Sequence, residues 1–163
     1  MLTLASVVWS TLRFDISPMP SSAQARRAIL SWIPADTTGE IYELGAGWGS
    51  LAFPIARQCP RAHIIALEGS PVPYLVCWLR KLLRPAPNLT LRFGDFSEVD
   101  LTQASGVVTY LWTGGMAQLG SKLSALKSGS WVISSTFAWR GREATDERTL
   151  DDLWRTKIYR YVL

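Results

Sequence analysis

Residues that build metal and redox sites are scarce in this chain. Its 163 residues include two cysteines and one histidine. Cys59 and Cys77 form no CxxC pair and have no neighbouring histidine, so neither a zinc site nor a redox motif is predicted. His63 lacks the partners that a metal ion or an Asp–His relay would need. We therefore expect reduced core cysteines, a structural or exposed histidine and no bound metal.

Long apolar segments are also missing from the sequence. No stretch approaches the length of a transmembrane helix. Residues 1–10 are apolar, but they lack the basic start and the cleavage site of a signal peptide. The sequence therefore predicts a cytoplasmic protein. Residues 1–10 either pack on the domain or touch a membrane or a partner, so a peripheral membrane contact and a membrane-associated substrate stay open.

Charge of either sign is limited, since charged residues make up 18% of the chain and the net charge is +4. The basic residues are scattered apart from two groups, Arg26 with Arg27, and Arg80 with Lys81 and Arg84. So small an excess of positive charge does not show whether the partner is an acidic protein, an anionic lipid or a nucleic acid. We interpret both groups as solvated helix faces and expect no nucleic-acid partner.

Strand-like and helix-like patterns alternate from residue 40 to residue 137. This alternation predicts an α/β fold, a doubly wound and mostly parallel sheet with helices on both faces. An alternating pattern near the C-terminus adds an antiparallel edge strand. The length suits one domain, residues 1–163, with an N-terminal loop and helix at 1–38, a core at 39–137 and a C-terminal strand region at 138–163.

The individual elements follow from local patterns. Ser21 and Gln24 form a capping-box pattern that predicts a helix ending at Pro34. A second helix is predicted within 48–58, starting close to residues 49 and 50 because Pro54 is tolerated only near the first turn. Two further helices are predicted, one from residue 70 with six apolar residues at helical spacing and one at 114–127. Strands are predicted at 40–44, 62–67, 89–93, 107–112 and 131–137. Residues 140–155 have room for a brief sixth strand that no pattern places.

The segment at residues 41–50, IYELGAGWGS, joins the first strand to a helix through three glycines. Glycine tolerates positive φ and carries no side chain, so a ligand can lie against bare backbone N–H groups there. An ordinary strand-to-helix turn is the alternative, but it needs fewer glycines and has no use for Glu43 at the strand end. The pattern indicates a turn beside a ligand.

Three acidic residues fall at the carboxyl ends of predicted strands. Glu43 closes the first strand, Glu68 closes the second and Asp95 lies in the turn after the third, at the edge where open α/β sheets bind ligands. An acidic residue after the second strand can accept hydrogen bonds from both ribose hydroxyls, which favours an adenosine-containing ligand. The glycine spacing is GxGxG rather than GxGxxG, and Glu43 beside it would repel a pyrophosphate and suit a cationic ligand.

These motifs resemble those of class I S-adenosylmethionine-dependent methyltransferases. ELGAGWG at residues 43–49 resembles their first motif, Glu68 the second, Asp95 with Phe96 the third and TYLW at residues 109–112 the fourth. The resemblance implies a Rossmann-like fold and S-adenosylmethionine as the cofactor. In its Pro-rich lead-in SPMPSS, its short acidic turn and its brief C-terminal strand region, the chain is similar to the small protein-lysine methyltransferases of the adenine nucleotide translocase and ATP synthase c subunit type.

The resemblance also implies a role for each residue at the cofactor. Gly45 and Gly47 would pass close to the methionine moiety, with Glu43 near its amino group. Glu68 would hold the ribose, and the neighbouring Gly69 would also bind the cofactor.

The adenine and the acceptor would meet the later motifs. Asp95 would accept from the adenine amino group, and Phe96 would pack near the ring. Tyr110 and Trp112 would border the methyl-transfer channel, unless they belong to the core. Residues 18–21 would fold over the cofactor as a lid.

The sequence thus predicts an S-adenosylmethionine-dependent methyltransferase that modifies a lysine of a protein substrate. A small-molecule or RNA methyltransferase and a non-catalytic S-adenosylmethionine-binding module are the alternatives. Two departures bear on the acceptor: the fourth motif has no catalytic carboxylate, and the NPPY sequence of enzymes that methylate planar amines is absent. An apolar, aromatic channel would instead favour the neutral form of a lysine.

Overall fold

Strands and helices alternate through residues 22–111 and 113–163, which are the part of the chain that the computed structural model describes. The strands of this part are β1 (Gly39–Leu44), β2 (Ala62–Glu68), β3 (Leu89–Phe93), β4 (Ala104–Thr109), β5 (Trp131–Ser135), β6 (Asp146–Thr149) and β7 (Lys157–Val162). The helices are α1 (Ala23–Trp32), α2 (Ala52–Gln58), α3 (Pro71–Leu83) and α4 (Thr113–Ser124).

The seven strands form one sheet in the order β3-β2-β1-β4-β5-β7-β6. Strands β1 to β5 are parallel, and β7 is antiparallel to both β5 and β6. The predicted α/β fold class is confirmed. The brief sixth strand expected within residues 140–155 is β6, and it lies outside β7 at the edge of the sheet. Because β5 and β6 are both antiparallel to β7, the carboxyl ends of β1 to β6 all lie at one edge of the sheet.

Two apolar clusters fill the space between the sheet and its helices. Ile29, Ile55 and Cys77, from α1, α2 and α3, belong to the cluster on one face. Met116 and Leu119 of α4 belong to the cluster on the other face. Both cysteines are buried and free, as predicted. Among the described residues, no helix is long and apolar enough to cross a membrane.

Helix starts differ from the predicted ones for identifiable reasons. The cap of α1 is Ser22, whose Oγ accepts from the backbone N–H of Ala25 at 3.0 Å, one residue later than predicted. Helix α2 starts at Ala52, a little later than the start predicted close to residues 49 and 50, because the positive φ angles of Gly47 (54°) and Gly49 (72°) cannot continue a right-handed helix.

The apolar repeat of α3 lies mostly on the solvent-exposed side of the helix. Its buried residues are Pro73 and Cys77, whereas the leucines of the repeat are exposed. Leucine at 3.6-residue spacing usually marks the core face of a helix, but in α3 it lies on the face turned to solvent. The outward face of α3 is therefore apolar.

Candidate active site

The glycine turn after β1 depends on backbone angles that glycine adopts readily. Gly45, Gly47 and Gly49 have φ angles of 83°, 54° and 72°. The N–H groups of Gly45 and Ala46 both donate to the carbonyl oxygen of Leu67, at 3.0 and 2.8 Å, which ties the turn to the end of β2. At Gly47 nothing lies within 4 Å of the position a Cβ would take. The middle of the turn therefore presents bare backbone to open space.

The outer glycines serve packing. A Cβ on Gly49 would lie 2.6 Å from Cys77 Sγ and 2.9 Å from Phe53 Cε2, so α3 and α2 pack directly on the turn. A Cβ on Gly45 would lie 3.6 Å from the carbonyl oxygen of Tyr110. The turn is thus in contact with the segment that follows β4.

Arg80 of α3 holds the turn from the outside. Its Nη1 donates to the carbonyl oxygens of Trp48 and Gly49 at 3.3 Å, and its guanidinium lies 4.6 Å from the ring centroid of Phe53. This arginine therefore has a structural role, although sequence analysis grouped it with a solvated helix face.

Glu68 connects two turns at the end of β2. Its Oε2 accepts from the backbone N–H of Gly47 at 2.6 Å, and its Oε1 accepts from that of Ser70 at 2.7 Å. Gly69 lies between the carboxylate and this second donor. Each carboxylate oxygen has two lone pairs, so both can still accept from a ligand.

Glu43 lies at the end of β1 and is 4% exposed. The backbone N–H of Ala52 at the start of α2 donates to its carboxyl group, while Oε2 is buried with no hydrogen-bond partner among the described residues. Burial, and then the negative charge of Glu68, hold the pKa of Glu43 well above its ordinary value, and the Ala52 N–H opposes them. Repulsion of a pyrophosphate requires an ionised Glu43, whereas burial favours the neutral form of this side chain until a cation lies beside it.

Asp95 and Phe96 follow β3 beside Glu68. The N–H of Gly94 donates to the carbonyl oxygen of Glu68 at 3.2 Å, which links the two strand ends. Oδ1 of Asp95 accepts from the backbone N–H of Ser97 at 2.8 Å and caps a short 3-10 turn, Phe96–Glu98. Phe96 is buried in an apolar cluster of the sheet.

The last residue of β4 and the residue that follows it complete the edge. Tyr110 is half-buried, and Thr109 is buried with its Oγ1 lacking a hydrogen-bond partner among the described residues. Trp112 and the predicted lid at residues 18–21 lie outside the described residues. Thr109 was recognised only as part of a motif, and its unpaired hydroxyl could not have been found without the structure.

Among the described residues, the fold brings the predicted site residues to the edge around the switch point of the sheet, where β1 has β2 on one side and β4 on the other. An unpaired buried carboxylate oxygen suits an amine or another cation, and the open backbone at Gly47 admits a ligand. The described residues contain no group of three or more side chains that could hold a metal ion.

Fold and site define a class I S-adenosylmethionine-dependent methyltransferase, and solved structures agree. The chain is similar to an RNA methyltransferase from Salinibacter ruber in complex with S-adenosyl-L-homocysteine, with 25% identity and a TM-score of 0.77 over 88% of this chain and 93% of that one. It also shares its fold with magnesium protoporphyrin IX methyltransferase from Synechocystis with bound S-adenosylmethionine. The identity is 16% and the TM-score is 0.68, with 85% of this chain and 78% of that one covered.

A tRNA methyltransferase from B. subtilis, TrmK, has the same fold at 15% identity and a TM-score of 0.68, with 86% of this chain and 65% of that one covered. No curated protein sequence matched the chain.

The family follows from a match at residues 43–146 to the ANTKMT methyltransferase domain. The chain belongs to this family. It is an S-adenosylmethionine-dependent methyltransferase, and S-adenosylmethionine is its cofactor.

Proposed function

We propose that this methyltransferase transfers a methyl group to the side chain of a protein lysine. The observation that carries the proposal is the family match, which spans the glycine turn and continues to the start of β6. The lead-in and acidic turn of the sequence support the same acceptor, because they resemble those of protein-lysine methyltransferases.

The methionine end of the cofactor is proposed to lie over the glycine turn. Gly45 and Gly47 would contact it through backbone, since the space beside Gly47 is open. Glu43 would accept from its amino group through Oε2, the buried oxygen without a partner. This contact would restore the charge of Glu43, because a nearby cation lowers the pKa of a carboxyl group.

The adenosine end is proposed to extend along the ends of β2 and β3. Glu68 would accept from the ribose hydroxyls while it keeps its bonds to the Gly47 and Ser70 N–H groups. Gly69 would border the ribose. Asp95 would accept from the adenine amino group, and Phe96 would support the ring from the buried side.

The bound cofactor supplies an electrophilic methyl group on a sulfonium. The lysine Nζ must lose its proton before its lone pair can attack, and an apolar channel favours the neutral amine. Tyr110 and Trp112 are proposed to border this channel, where they would exclude water and orient the amine. Positioning of this kind can supply a large part of the rate.

The edge of the sheet beside the site also suits a macromolecular acceptor. The loop between β6 and β7 lies at this edge, and it carries Leu153 and Trp154, which are 87% and 70% exposed. Asp152 holds the loop, because its Oδ1 accepts from the N–H of Thr156 at 2.8 Å and its carbonyl oxygen accepts from that of Arg155 at 2.9 Å. An ordered loop that presents two apolar side chains fits contact with a protein surface.

Labelled methyl transfer tests the acceptor. The protein is incubated with cell extract and S-adenosylmethionine carrying a labelled methyl group, and the products are digested with protease or ribonuclease. We expect the label to be in protein, so that protease digestion releases it, and to be recovered as methyllysine after complete hydrolysis. Label in a protein at another amino acid, or in small molecules, would overturn the lysine proposal.

RNA is the second candidate acceptor, because the Salinibacter ruber structure is that of an RNA methyltransferase and covers most of both chains. The same experiment decides between the two. Label that is released by ribonuclease and resists protease would establish RNA.

A further inference from the structure

We propose that the outward face of α3 binds the surface of an anionic lipid membrane. This face, called here the α3 outer face, is made of Leu75, Val76, Trp78, Leu79, Leu82 and Leu83. Leu82 and Leu83 are 66% and 81% exposed, and both are large apolar residues. Contiguous exposed apolar surface of this kind marks an interaction site in soluble proteins.

The arrangement of α3 is the reverse of that of an ordinary surface helix. The side chains on the inner face of α3 are small or polar: Cys77 is buried, and Arg80 donates to the carbonyl oxygens of the glycine turn. At about 100° per residue, the outer face spans an arc of about 160° that contains no polar side chain. With 13 residues, the helix is shorter than the ~20 needed to cross a bilayer, so it would lie along the surface.

Charge selects the partner. From residue 71 to residue 94 the sequence has no aspartate or glutamate, and it contains Arg80, Lys81, Arg84 and Arg92. Lys81 and Arg84 form no ion pair with any residue that the structure describes, and Arg84 is exposed. A second copy of the same face would bring like charges together. An apolar helix face with leucine, tryptophan and flanking basic residues matches an interface that attracts anionic lipid headgroups.

Co-sedimentation with vesicles tests the proposal on the full chain. One set of vesicles is phosphatidylcholine, and the other is phosphatidylcholine mixed with phosphatidylglycerol in equal parts. We expect binding to the mixed vesicles and little binding to phosphatidylcholine alone. The double variant Leu79→Gln/Leu82→Gln should lower partitioning into the mixed vesicles about tenfold or more, because two exposed apolar contacts are lost. Lys81→Gln/Arg84→Gln should weaken it and reduce its dependence on salt.

A control is Leu153→Gln, which removes an even more exposed leucine from the β6–β7 loop, beside the opposite edge of the sheet. It should leave vesicle binding unchanged. All these variants keep residues 1–21, so a difference between them belongs to α3.

Three results would overturn the proposal. The first is wild-type protein that does not bind anionic vesicles, and the second is an α3 variant that binds them as wild type does. If in this second case Leu79→Gln/Leu82→Gln also melts at a lower temperature than wild type, the α3 outer face is covered by another part of this chain. The third is a wild-type dimer in sedimentation analysis that the same variant dissociates, which would assign the face to a second copy.

Discussion

Glu68 Oε2 accepts a hydrogen bond of 2.6 Å from the backbone N–H of Gly47, 21 residues earlier in the chain. Because the other oxygen of the same carboxylate accepts from Ser70, one side chain fixes both the glycine turn and the start of α3. The proposed ribose acceptor therefore also shapes the pocket before the cofactor enters, and such preorganisation reduces the cost of binding.

Glu68→Gln should weaken S-adenosylmethionine binding and loosen the glycine turn together. The amide keeps the size of the side chain but replaces one acceptor oxygen by a donor, which cannot accept from a backbone N–H. Loss of a hydrogen bond to a charged group costs about 1.5–3 kcal/mol, so the dissociation constant should rise roughly 10- to 100-fold. Titration calorimetry measures the affinity, and amide exchange at Gly47 and Ser70 measures the loosening. Glu98→Gln, an exposed carboxylate nearby, is the control and should change neither quantity.

Glu43→Gln should stabilise the cofactor-free protein at neutral pH. Because the pKa of Glu43 is raised above its ordinary value of 4.5, the folded chain binds this proton more tightly than the unfolded chain. As pH rises above 4.5, the unfolded chain loses this proton before the folded chain does, so Glu43 lowers the free energy of unfolding. The variant should melt a few degrees higher than wild type at pH 7, by about 2–4 °C for each kcal/mol, and the difference should shrink toward pH 4.5. An equal difference at both pH values would contradict the buried-carboxyl explanation, and the exposed Glu143→Gln should show no difference.

Cofactor binding should release a proton from Glu43. A cationic amine beside the carboxyl group lowers its pKa, so the bound protein holds this proton less tightly than the free protein, and affinity should increase as pH rises across the interval between the two pKa values. Calorimetry in two buffers of different ionisation enthalpy measures the released proton. Glu43→Gln should abolish the release. Uptake of a proton by wild type on binding would refute the proposed contact.

Gly47→Ala should remove cofactor affinity at little cost in stability. The φ of 54° costs an alanine about 1–2 kcal/mol, and its methyl group would stand in the open space proposed for the ligand. Gly129→Ala provides the matched control, since Gly129 also has positive φ (82°) with nothing near its Cβ position and lies in the turn before β5. Both variants should melt at similar temperatures, and only Gly47→Ala should lose affinity, by about tenfold or more. Retained affinity would show that the ligand does not pass this turn.

Leu153→Ser/Trp154→Ser should impair transfer to a protein acceptor without affecting the cofactor. Both side chains are exposed on a loop held by Asp152, so the fold should tolerate their loss. We expect a higher KM for the acceptor, an unchanged kcat and an unchanged dissociation constant for S-adenosylmethionine. Val162→Ser, at the opposite end of β7, should have no effect. A normal KM for the double variant would exclude this loop from acceptor binding.

Much of the fold could be predicted because its signals are local. Leu51, Ile55, Met116 and Leu119 recur at helical spacing in the sequence, and all four are buried. The apolar run AHIIAL became β2, which lies between two parallel strands. The roles of individual residues could not be predicted where they depend on contacts with residues distant in sequence. Glycine weakens the interior of a helix, but at Gly120 a Cβ would lie 3.3 Å from Trp139 Nε1, so the glycine lets α4 accommodate an aromatic ring.

The sequence by itself determined the order of strands and helices, the glycine turn and the presence of an acidic residue at the end of each of the first two strands, because these features arise from residue type and spacing. Only the tertiary structure decided how the side chains are used. It pairs Glu68 with Gly47, buries Glu43 without a partner for one oxygen and turns the leucines of α3 toward solvent. Each of these depends on which element packs beside which, and periodicity within a single helix or strand carries no information about its neighbour.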